Sequence, residues 1–228
     1  MTDPLLPPPA VSRPAAVGLP DADTVADWFR ANSRRIGIAG LSLLVAAGAV
    51  WAYSYSRDQA SVQAEASLAS ARRNVYAGNA PLAQADLRKV VQRHGSTSAG
   101  VQARMQLAQL MFEDGKVPEG IAELTAARDL RAGKQFRASI EGLIAAGEEQ
   151  RSAWAPAAEA YRRAAAAAAT DMEREAFRAD EARALMNGND RAGAAKAWQA
   201  LLKSENEGIA AEAAVRLGEL TAKPAAGK

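Results

Sequence analysis

The sequence predicts an all-α chain: one transmembrane helix followed by an α-solenoid of about four helix pairs plus a terminal helix. Two observations carry that reading. The twenty residues from Ile36 to Tyr55 contain no charged side chain, and at 1.5 Å rise they span roughly 30 Å, the thickness of a bilayer's hydrocarbon core. Beyond this run, small and large apolar residues recur at a fixed interval of 37 residues, which is the mark of stacked supersecondary units.

Residues 1–22 carry Pro4, Pro7, Pro8, Pro9, Pro14 and Pro20 with little to bury, and read as a disordered, cytoplasmic tail of partly polyproline II character. Residues 23–35 read as a short juxtamembrane amphipathic helix. Thr24 is its expected N-cap, Asp27 follows three places on, and Val25, Trp28 and Phe29 share one face. The span at 36–55 holds Ile36, Ile38, Leu41, Leu43, Leu44, Val45 and Val50. At about −0.3 to −0.6 kcal/mol each they favour insertion by roughly 2–4 kcal/mol. Trp51, Tyr53 and Tyr55 gather at one end, as interfacial aromatics do. Ala47-Gly48-Ala49 offers a competing reading as a signal-peptide cleavage site. The apolar run, however, exceeds the usual 7–15 residues of a signal core.

Arg30, Arg34 and Arg35 precede the span, and only Arg57 lies within the next fifteen residues. The positive-inside bias therefore predicts a single-pass protein of the bacterial inner membrane with its N-terminus in the cytoplasm. Residues 56–228 become a periplasmic domain. Four of the 28 basic residues (Arg13, Arg30, Arg34, Arg35) and four of the 26 acidic ones (Asp3, Asp21, Asp23, Asp27) lie at or before Tyr55, leaving 24 and 22 beyond it. A near-neutral domain lacks the basic footprint of a nucleic-acid binder. The absence of cysteine fits a periplasm without disulfides and a cytosol equally.

Within 56–228 five columns repeat. Ala83, Gly120, Ala157 and Ala194 are small; Leu87, Leu124, Tyr161 and Trp198, four places later, are large; Val90, Ala127, Ala164 and Leu201 continue the stripe. Ala71, Ala108, Ala145 and Ala182 come earlier in each unit, with Gly218 after a final step of 36. Gly78, Gly115, Ser152 and Asn189 mark turns with the same period. A small residue lets the second helix of a pair approach the first, and the large one fills the groove a turn later. Helix pairs are expected near 59–77/80–94, 98–114/117–129, 134–150/154–169 and 171–187/190–203, with a closing helix near 207–221. Pro81 and Pro118 suit first turns. Thr170 with Glu173, and Ser204 with Glu207, read as capping boxes.

This pattern resembles the tetratricopeptide repeat, most clearly in Leu107-Ala108, Met111, Gly115, Gly120, Leu124 and Ala127. The whole layout is similar to the YfgM-type ancillary subunits of the SecYEG translocon. The matching stretches are DTVADWFRANSRRIGIAG, entering the span, and NGNDRAGAAKAWQALLKS near the end. That resemblance implies a non-catalytic, membrane-anchored scaffold of the cell envelope whose partners are Sec translocon subunits and a periplasmic chaperone or client polypeptide. The alternatives are an adaptor for envelope assembly or cell division, and a soluble periplasmic chaperone released by cleavage.

In such a stack the first helices line the inner face. With the second unit as guide, that face is expected to carry Leu68, Arg72, Val75, Met105, Gln109, Phe112, Arg183 and Met186. Met and Phe give an adaptable apolar surface, and Arg grips carboxylates and carbonyls. Leu68, Met105 and Phe112 read equally as core between helices. The packing set is Ala83, Leu87, Gly120, Leu124, Ala157, Tyr161, Ala194 and Trp198. No chemistry competes with this reading. His94 is the sole histidine, and a lone histidine in a chain without cysteine does not make a zinc site of the ordinary kind. Asn187-Gly188-Asn189-Asp190 is a scrap of a calcium loop better read as a turn. Glu148-Glu149 and Asp180-Glu181 read as solvated faces. No enzyme, cofactor or small-molecule substrate is expected.

Overall fold

The computed structural model describes residues 22–222, with side chains from Arg30 onward except at 36, 39, 53 and 56–58. The proline-rich tail, apart from Ala22, and the side chains of Val25, Trp28 and Phe29 lie outside that range. The chain divides into two units, Met1–Tyr55 and Ser56–Lys228.

Helix α1 runs from Ala22 to Tyr76. It starts before Thr24, the expected cap, and continues through the stretches read as three separate helices. The reason is local: no proline lies between Pro20 and Pro81, and the isolated Gly37, Gly40 and Gly48 each cost only about 1 kcal/mol of helix propensity. In the first unit, Arg30–Ala52 is long and apolar enough to cross a membrane, and none of its described side chains is buried. Leu43 and Leu44 are each 72% exposed. Ser42 Oγ donates to the Ile38 carbonyl at 2.9 Å and Ser54 Oγ to that of Trp51 at 2.9 Å, so these hydroxyls are satisfied within the helix itself. The Trp51 and Tyr55 rings stack with centroids 5.7 Å apart.

The second unit is a succession of helical hairpins. The C-terminal part of α1 pairs with α2 (Ala80–His94). Then α3 (Ser98–Glu113) pairs with α4 (Val117–Asp129). A 3₁₀ helix, Arg131–Phe136, leads into α5 (Arg137–Gln150), which pairs with α6 (Trp154–Ala167). Next, α7 (Asp171–Asn187) pairs with α8 (Arg191–Leu201), and α9 (Glu207–Thr221) follows alone. From α2 onward each helix packs on the next, and α3 also touches α5, as α7 touches α9; α1 meets α2 through Leu68, Ala71, Ala83 and Leu87.

The four hairpin turns share one geometry. Gly78, Gly115, Ser152 and Asn189 all have positive φ, between 57° and 75°. Each of their N–H groups bonds the carbonyl three residues back: Val75, Phe112, Glu149 and Met186. The next N–H reaches five back, to Asn74, Met111, Glu148 and Leu185. This is a Schellman motif repeated every 37 residues, and it satisfies carbonyls that the helix end would otherwise leave without partners.

The small and large columns close the core. Ala71, Ala108, Ala145 and Ala182 are fully enclosed, as are Ala83, Leu87, Leu124, Ala157, Ala194 and Trp198. Gly120 is required by space: a Cβ there would sit 2.5 Å from the Phe112 ring. Three clusters follow the hairpins, around Leu68 and Leu87, around Leu124, Ile144 and Tyr161, and around Trp198. A fully buried Leu contributes about 1.5–3 kcal/mol. Helix starts follow their caps. Thr170 Oγ1 accepts from the Glu173 N–H, and Glu173 reaches back to the Ala169 N–H at 3.0 Å. At α9 the cap is Asn206 and not Ser204. Asn206 Oδ1 accepts from the N–H groups of Gly208 and Ile209, while the Ser204 hydroxyl donates to Glu175 at 2.6 Å.

Candidate protein-interaction surface

Every first helix leaves a stripe open to solvent or partly so, at spacing i, i+4, i+7, i+11. On α3 it comprises Gln102, Gln106, Gln109 and Glu113; on α5, Ser139, Leu143, Ala146 and Gln150; on α7, Ala176, Asp180, Arg183 and Asn187. Glu65, Ala69, Arg72 and Tyr76 hold the same register on α1. Three-to-four spacing keeps such residues on one side of a helix. The four stripes lie 37 residues apart and form one face of odd-numbered helices, mostly amide, hydroxyl and methyl groups.

Ties between neighbouring odd helices keep this face in shape. Arg72 Nη2 donates to Gln102 Oε1 at 2.7 Å, and Gln150 Nε2 donates to the Phe112 carbonyl at 3.1 Å. At the far end Arg183 makes a two-pronged contact with Glu212, Nε to Oε1 at 2.9 Å and Nη2 to Oε2 at 2.7 Å, and also holds Asp180. Arg72 and Arg183 occupy the same register position in the first and fourth units; Gln109 and Ala146 fill it between them. This one column therefore carries a guanidinium at each end and neutral residues between them. The hydrogen bond from Arg183 holds the Glu212 carboxyl below its ordinary range. Burial pushes the Asp180 carboxyl up, an effect that the nearby Arg183 only partly offsets.

Of the expected groove residues, Arg72, Gln109 and Arg183 lie on this face. Leu68, Val75, Met105, Phe112 and Met186 each stand one residue away from it, and one residue is about 100° of rotation. Leu68 is fully enclosed and Phe112 is buried. Val75 packs against the first cluster and Met105 against the middle one. Met186 Sδ accepts from Trp198 Nε1 at 3.1 Å, inside its own hairpin. Equivalently placed, Tyr161 Oη donates to Glu149 at 3.0 Å, and burial together with that carboxylate pushes the phenol's titration well above its ordinary range. Thus Leu68 and Phe112 are core, and the expected apolar groove gives way to a polar face.

Sequence reading missed the buried charges. Glu141 is fully buried; its Oε2 accepts from Arg163 Nε at 2.9 Å, and Arg137 and Arg128 stand 3.8 and 3.9 Å from Oε1. Its counterpart 37 residues earlier is Arg104, which binds Glu123. The same inward position thus joins first and second helices by an ion pair of reversed sign in successive units. A charged residue recurring at this register with an opposite charge 19 or 22 residues on was the available signal.

A family model described as a tetratricopeptide repeat-like domain matches residues 57–180, more than half of the chain. The chain belongs to this family. No curated protein sequence matches it. Among solved structures, the tetratricopeptide repeat-like chain is similar to the MamA protein, at 13% identity and a TM-score of 0.52, over 69% of this chain and 89% of that one. It is also similar to a putative kinesin light chain of Podosopora anserina with nearly identical TPR-like repeats, at 16% identity and a TM-score of 0.54, over 69% and 84%. These likenesses speak for the fold: an all-helical tetratricopeptide-like solenoid, of the kind that typically serves protein–protein interaction.

Proposed function

We propose that this protein is a membrane-anchored interaction scaffold of the bacterial cell envelope, with residues 36–55 crossing the inner membrane once. The N-terminus lies in the cytoplasm and the repeat unit in the periplasm. The observation that carries the proposal is the pairing, in one chain, of an uncharged and unburied apolar helix with an interaction solenoid. Arg30, Arg34 and Arg35 beside the span favour the stated orientation. The polar face of the odd helices suits an extended segment or helix bound through backbone and carboxylate contacts, with Arg72, whose bonded neighbour Gln102 is neutral, as an end anchor. No chemical step belongs to this role.

Resemblance to ancillary Sec translocon subunits supplies the finer reading: the scaffold holds a periplasmic chaperone or client polypeptide near the translocon. Protease added to spheroplasts should digest residues 56–228 and leave a protected fragment containing the span. Protection of the repeat unit until lysis would invert the topology. In-membrane crosslinking from position 109 should capture translocon subunits or a periplasmic chaperone. Capture dominated by outer-membrane assembly or septal proteins would instead make the protein an envelope-assembly or division adaptor.

A further inference from the structure

Helix α9 stands in the register of a first helix. Gly218 continues the column Ala71, Ala108, Ala145, Ala182, and Val215 continues the one through Leu68 and Ala179. In the pairs that precede it, Ala71, Ala108, Ala145 and Ala182 are fully buried; in the other column Leu68 is fully buried and Ala179 is 1% exposed, with Met105 and Gly142 between them partly open. On α9 they are open. Val215 is 60% exposed, and a Cβ built on Gly218 would meet no heavy atom within 4 Å. Ala211 and Ala214, also exposed, complete an i, i+3, i+4, i+7 stripe. Terminal helices of solenoids ordinarily turn a polar face outward; here that face is apolar and matches the surface on which every earlier hairpin receives a helix.

We propose that this face of α9 docks an amphipathic helix of a partner protein, one that carries basic residues beside its apolar stripe and completes a fifth hairpin. Continuity with the hairpin interface argues for a helix with a small residue followed by large apolar ones at i+4 and i+7. Charge argues for its basic flanks: α9 has Glu207, Glu212 and Glu219 against Arg216, and with Arg183 of α7 paired to Glu212 this end still carries a net of −1. Two copies of α9 would therefore repel, which disfavours a second copy of this chain as the occupant. The second helix α2 shows the fitting chemistry, with Ala83, Leu87 and Val90 on its buried side and Arg88, Lys89 and Arg93 against Asp86. This docking face is independent of the membrane topology and of the odd-helix face.

The probe is a fluorescent peptide of residues 79–95 with its helix fixed by a staple, titrated into the full chain in nanodiscs. Binding should weaken at least tenfold for the Val215→Arg variant, and at least tenfold when the probe carries Arg88→Glu, Lys89→Glu and Arg93→Glu. A photo-crosslinker on the probe should mark α9. If Val215→Arg lowers the melting temperature, the exposed Ala214→Arg serves in its place. No binding, affinity unchanged by the substitution, or equal affinity for the acidic probe would overturn the proposal. A concentration-dependent dimer abolished by Val215→Arg would also overturn it, assigning the face to a second copy.

Discussion

Ser152 sits at φ 57°, where two of the equivalent turns have glycine. A side chain in this left-handed region costs about 1–2 kcal/mol, partly returned by the lower entropy of a non-glycine unfolded chain. Ser152→Gly should therefore stabilise the protein by about 0.5–1 kcal/mol, read as a rise in the urea midpoint at unchanged slope. Glu141 runs the other way. Its removal leaves three guanidiniums without their shared carboxylate. Breaking a fully buried pair costs about 3–5 kcal/mol, and the Arg163 side chain is 43% exposed, so Glu141→Ala should cost about 2–3 kcal/mol. In that background Arg163→Ala should add little, which a double-mutant cycle measures.

At the scale of the helix, register decides what is core. Ala157 and Ala194 are fully enclosed at the close approach of two helices, and replacing either with Trp should overpack the joint by about 1–3 kcal/mol or more. An unchanged melting temperature would remove these columns from the core. The tie from α7 to α9 should respond to acid. Glu212 is held below its ordinary value by Arg183, so its contribution is complete above the unfolded carboxylate value and is lost as pH falls through the folded one. Amide protection along α9 should thus drop on acidification below the carboxylate range. Arg183→Gln should lower that protection at neutral pH and flatten its dependence. The second helices and the turns were legible because each depends on one residue type at a fixed interval: Ala83 to Ala194 for approach, Gly78 to Asn189 for the left-handed turn. The first helices were read one residue out at Leu68, Met105 and Phe112. Their two sides differ little in hydrophobicity: α3 buries alanines and Gly100 beside its leucines, and its open side carries uncharged Gln. Ser204 lost the cap to Asn206 because both have capping chemistry and only Asn206 adjoins the helix.

For the whole chain, absence of charge over 36–55 and a 37-residue period beyond it are both long-range patterns, and the chain divides into two units between Tyr55 and Ser56. What composition did not reveal is the ion pairs of the buried Glu141 and the partly buried Arg104, since a charge on an inward stripe has no compositional signature until its partner is known. The topology experiment belongs to this scale: with residues 1–55 deleted, the repeat unit should leave the membrane fraction on carbonate washing, as expected if the first unit supplies the anchor.

The common turn has a consequence for how such a chain changes over generations. Because Gly78, Gly115, Ser152 and Asn189 close their hairpins through the same two hydrogen bonds, a cut at one turn and a splice at another rejoins backbone of equal shape. Loss or duplication of a 37-residue stretch between them is then a small genetic step that lengthens or shortens the array without redesigning a joint.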